Sequence, residues 1–113
     1  MQKLSLDATA REQLGIARGT AAERSSTTVF GGHEHALRQT VVALAAGASL
    51  GEHENPGEAT LYVLTGRVRL AVGADSWEAR TGDFLIIPDA RHTLAALEDS
   101  AVLLTAVPRS HIR

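Results

Sequence analysis

The 113-residue chain has no cysteine at all, which removes disulfides, thiolate nucleophiles and zinc–cysteine sites together. That absence fits a reducing cytosol, the compartment expected here. Aromatics are almost as scarce, with two Phe, one Trp and one Tyr, so few platforms exist on which single-stranded bases could stack. The net charge is −2, and the eleven basic residues are dispersed rather than clustered, so nucleic acid is not an expected partner. No apolar run approaches the roughly 18 residues that cross a bilayer, and no basic start leads into a signal-type apolar segment. No membrane partner is therefore expected. What remains is enough for one domain. At this length folding buries roughly 65% of the unfolded chain's surface, enough for one core without metal or disulfide staples.

The opening SLDATAREQLGIARG reads as a short helix. Ser5 or Asp7 can cap it, Leu6, Ala10, Leu14 and Ala17 recur at helical spacing, and Gly19 stops it. TAAERSSTTVFGG is a connector with one edge strand at Thr27–Phe30, so residues 1–30 form an N-terminal appendage and 31–113 the main domain. From Ala36 the period changes. TLYVLT, RVRLAV, SWEAR, DFLIIP and AVLLTAV are short β-rich runs punctuated at Gly66, Gly73-Ala74-Asp75, Thr81-Gly82-Asp83 and Glu98-Asp99-Ser100. In RVRLAV the arginines alternate with apolar residues, as on a strand with one wet face. DFLIIP and AVLLTAV are continuous apolar runs, as expected of strands buried on both sides or at a dimer interface. Short strands at this rhythm predict an all-β sandwich or barrel.

Chemistry concentrates in GASLGEHENPGEATLYVLTG, residues 47–66. On a strand, residues two apart share a face, which puts His53 and Asn55 on one side. Asn55-Pro56-Gly57-Glu58 suits a type II turn, with the Cα atoms of Asn55 and Glu58 within about 7 Å. A two-residue hairpin loop would bring Glu58 and Thr60 to the side of His53. A three-residue loop would bring Ala59 and Leu61 there instead.

With Gly47, five residues, His53, a spacer, Asn55 and then Gly66, this stretch resembles the first motif of the cupin superfamily. Gly82, five residues, Pro88 and then His92 resemble the second. The resemblance covers roughly residues 36–107 and implies an antiparallel Greek-key or jelly-roll β-barrel, commonly a homodimer, with its ligand site inside. The chain departs from the motifs at definite places. Asn55 stands for the second histidine. Ala59 takes the glutamate position when aligned through Gly66, with Glu58 one residue early. Ala90 replaces the usual glycine, and His92 comes one residue early.

His53 and His92 are the ligand-type residues that carry over. Two imidazoles suit one divalent transition metal, Zn, Fe, Ni, Cu or Mn. A catalytic site wants three protein ligands, which Glu58 or His35 would have to complete. Against this stands a plainer assignment, in which His53 and Asn55 are a hydrogen-bonded pair holding the turn and no metal is bound. His33 and His35 then belong to an exposed connector, and His111 to a fraying tail. The chain is thus expected to be a small cupin that binds a small molecule inside its barrel with an incomplete metal site, as a sensor or accessory protein. His53, Asn55 and His92 would supply polar contacts, with His35 in reserve, and Arg38 or Arg91 would pair an anionic group. The alternatives are a metal-dependent oxygenase or isomerase built on His53 and His92, and a purely structural protein.

Overall fold

The computed structural model describes residues 2–53 and 57–111, with the backbone alone at 52, 53 and 111. Helix α1 runs over Leu6–Arg18. Ser5 is its N-cap, its Oγ accepting from the Ala8 amide at 3.2 Å, and Asp7 lies in the first turn, where the helix dipole favours a carboxylate. Beyond Arg18 the Gly19 amide closes the helix on the Ile16 carbonyl. Nine strands follow: β1 (Arg24–Phe30), β2 (Arg38–Leu44), β3 (Ser49–His53), β4 (Gly57–Thr65), β5 (Arg67–Val72), β6 (Asp75–Arg80), β7 (Phe84–Ile86), β8 (His92–Ala96) and β9 (Ser100–Pro108).

The strands form two antiparallel sheets, ordered β1-β2-β9-β4-β7 and β3-β8-β5-β6. Strands β2 and β9, β3 and β8, β4 and β7, and β5 and β6 are paired. Those pairs nest like one long hairpin with its tip between β5 and β6. Rolling the hairpin up adds the β4–β9 and β5–β8 ladders and produces a jelly roll. The expected closed barrel is corrected here. Among the described residues every ladder stays within its own sheet, so the two sheets face each other as a sandwich. Packing holds them together. Val42, Leu44, Val63 and Val102 of one sheet meet Val68, Leu70, Leu94 and Ala96 of the other in one buried cluster.

The first 30 residues are built into the same body. β1 extends the larger sheet beside β2, and Ala10, Leu14 and Ala17 of α1 pack on Ala43, Ala101 and Leu64 on that sheet's outer face. Ser25 donates to the buried Gln13, tying β1 to the helix. RVRLAV behaves as its alternation predicts, with Val68 and Leu70 buried and Arg69 exposed. AVLLTAV lies within β9, an inner strand of the larger sheet. Of the two expectations for DFLIIP, burial on both sides does not hold within the chain. The run supplies the three-residue edge strand β7, whose Leu85 packs inward while Phe84 and Ile86 stand exposed.

One corner links helix and turns through a carboxylate. Asp99 accepts from the Ala46 amide at 2.8 Å and from Arg18 Nε at 2.7 Å. The Ala46 hydrogen bond first, and then Arg18, hold its carboxyl below the ordinary value of 3.8. This contribution is therefore complete above pH 3.8 and is lost as the pH falls through the lower folded-state value. The Arg18 and Asp99 side chains are 56% and 38% exposed, so solvent screening keeps the pair at about 1 kcal/mol or less. Asp99→Asn is expected to lower the melting temperature by a few degrees at pH 7, and the gap to the wild type should close below pH 3.8. Thermal melts of both proteins across that range check it. A gap unchanged with pH would show that the charge contributes nothing.

Candidate functional site

The inner faces of the sheets do not fill all the space between them. They leave between them a partly open cavity of about 340 Å³. The larger sheet lines it with Val42 of β2, Ala59 and Leu61 of β4, and Val102, Leu104 and Ala106 of β9. The smaller sheet contributes Leu50 of β3, Leu70 of β5, and His92 and Leu94 of β8, and Ile87 follows β7. Period-two alternation explains the choice. Ala59, Leu61 and Val63 are buried along β4, whereas Glu58 and Tyr62, on the other face, are exposed. Pairing fixes the position of β4, because Ala59 and Leu61 are register partners of Ala106 and Leu104 on β9.

His92 is the polar side chain among the described lining residues, and it is buried. Its Nδ1 lies 3.0 Å from the Ala90 carbonyl oxygen. A carbonyl only accepts, so Nδ1 carries the proton in this bond. The turn that supplies the carbonyl is braced by Arg109, whose Nη2 donates to Asp89 Oδ1 at 2.9 Å. His53 is the register partner of His92 across the β3–β8 ladder, beyond an irregularity in the pairing after Leu50.

The remaining sequence candidates are spread more widely. Asn55 lies outside the described residues. Glu58 is exposed on β4, away from the cavity, while Ala59, which takes the glutamate position of the motif, lines it. His35 is exposed and stacks on Phe30, with ring centroids 4.9 Å apart and an interplanar angle of 29°. Arg38 is exposed at the start of β2, and Arg91 is exposed one residue before His92. The fold thus brings the backbones of His53 and His92 opposite each other and leaves Glu58, His35, Arg38 and Arg91 outside the lining. Among the described residues no three His, Asp or Glu side chains group closely enough to hold a metal ion. The three-residue-loop alternative had offered Ala59 and Leu61, both of which line the cavity, but sequence reasoning missed Leu50, Leu70, Leu94 and Leu104. A leucine beside a void reads like a leucine in a filled core, so no signal marked them.

Solved structures share this architecture. A conserved protein of unknown function from Streptococcus pyogenes superposes with a TM-score of 0.69 at 26% identity, over 79% of this chain and 77% of that one. An RmlC-like cupin protein from Desulfovibrio desulfuricans gives 0.66 at 25% identity, over 75% and 82%. KdgF from a Halomonas species gives 0.65 at 24% identity, over 76% and 81%, a likeness of fold. No protein of curated function matches the chain. A family model described as the cupin domain matches residues 40–108, the span from β2 to the end of β9. With that match on a jelly roll that leaves a cavity between its sheets, the chain belongs to the cupin-domain family.

Proposed function

We propose that this cupin binds a small molecule between its two sheets, with His92 as the polar anchor and His53, its register partner, as the second contact. The observation that carries the proposal is the cavity itself. A void of about 340 Å³ lies at the small end of ligand pockets, and among its described lining residues a buried imidazole stands amid apolar walls. A protein whose interior served packing alone would have little reason to leave so much space unfilled, since interiors are close-packed. The test is a fragment library screened by NMR against the untagged protein. Hits that perturb the His92 ring together with the methyl groups of Leu70 and Leu94 are expected. Hits confined to outer-surface residues would sink the proposal.

The second reading, a metal-dependent cupin enzyme, draws support from the His53–His92 register, because opposite residues on an antiparallel ladder belong to one face. His53 and His92 would hold the metal, His92 through Nε2. The bound ion would act as Lewis acid or oxygen activator. Glu58 and His35, the expected third ligands, are exposed and line no part of the cavity, so the described donors fall short of a catalytic set. Elemental analysis of the untagged protein distinguishes the readings. The binding protein is expected to carry Zn, Fe, Ni, Cu or Mn far below one per chain, unchanged by reconstitution. Near-stoichiometric metal that is lost in His92→Ala would put the enzyme ahead.

A further inference from the structure

Ten of the eleven described side chains around the cavity carry no polar atom, and the eleventh is His92. That imbalance constrains what the site can take. Each hydroxyl of a sugar or polyol, once desolvated, needs a hydrogen-bond partner, and away from the His92 end the described walls of Leu, Val, Ile and Ala supply none. A multiply charged ligand meets a larger penalty, because Arg38 and Arg91 are exposed and line no part of the cavity. The space is about twice that of a 150 Å³ cavity that accepts benzene, which matches two fused rings or an alkyl body of similar bulk. Resting on the small-molecule reading above, we infer that the ligand class is an uncharged, mainly hydrocarbon molecule of that size whose polar end lies where His92 and His53 are register partners.

The probes are 1-naphthol and D-glucose, similar in size and opposite in polarity, titrated into the untagged full chain by calorimetry. 1-Naphthol is expected to bind one per chain with a Kd on the order of tens of micromolar. Glucose is expected not to bind. Ala59→Leu fills the cavity from β4 and Ala106→Leu from β9, so a variant that fails to fold leaves the other to decide. In whichever folds, 1-naphthol affinity should fall about tenfold or more, as one bound molecule loses its space. Glucose binding without 1-naphthol binding would overturn the apolar class and leave the small-molecule reading standing. Equal 1-naphthol affinity in the filled variants would place it outside the cavity, which also overturns the inference. If neither probe binds while NMR fragments still perturb His92, only the ligand class falls. If nothing perturbs His92, both readings fall.

Discussion

Gly66→Ala is expected to lower the melting temperature by on the order of 10 °C or more, through a loss of about 3 kcal/mol. Two effects add at this position. Gly66 has φ +95°, a conformation that strains any side chain. A Cβ there would also lie 2.3 Å from Ser100 Oγ, 2.4 Å from the Asp99 carbonyl oxygen and 2.8 Å from Ser100 Cα. Two of those atoms are backbone and cannot turn aside. Ser100 is buried, and its hydroxyl accepts from the Arg67 amide at 3.0 Å while lying within hydrogen-bonding reach of the Glu98 and Arg67 carbonyls. Relieving the clash would therefore break the junction between the start of β5 and the start of β9.

Gly82 isolates the steric part. It has nearly the same φ, +90°, but nothing lies within 4 Å of its added Cβ. Gly82→Ala should cost only the backbone term, about 1–2 kcal/mol. Thermal and urea melts of the two variants compare them directly. Equal losses would mean that backbone conformation alone explains both glycines and that the corner at Ser100 yields easily.

These glycines mark what was legible in the sequence. Gly66 and Gly82 stood at motif spacing because the turns between strands need conformations that side chains resist. RVRLAV was readable because one face of β5 is wet, which imprints alternation on the residues. DFLIIP was not. β7 has only three residues and lies at a sheet edge, so its apolar outer side chains carry no mark of exposure. The orientation of Glu58 depended on the loop length after Asn55, which composition cannot fix. The β4–β9 register decides it, with Glu58 opposite Val107 and the cavity-lining Ala59 opposite Ala106. One residue of slip would exchange a carboxylate for a methyl group at the cavity wall. His92 could be picked out as a ligand-type residue, but its burial and its bond to Ala90 are products of the tertiary fold.

The cavity itself makes the second large prediction, a difference between two leucines of equal burial. Leu44 and Leu70 are each 1% exposed and share one core cluster, yet only Leu70 borders the cavity. Leu44→Ala is expected to cost about 4 kcal/mol, because contacts are lost on every side and a new void opens in a packed region. Leu70 already faces empty space on one side, so fewer dispersion contacts are there to lose. Leu70→Ala should cost nearer to about 2 kcal/mol, with the vacated volume merging into the existing one. Urea denaturation of both variants, with equal m-values as a check on two-state unfolding, reads the difference. A gap of about 2 kcal/mol would show that the space beside Leu70 is empty in the free protein and open to a ligand. Equal losses would mean that atoms fill it in solution. If they belong to a co-purified molecule, mass spectrometry of a denatured extract identifies that molecule. If no molecule is released, the sheets close together over Leu70, and the binding proposal loses the observation that carries it.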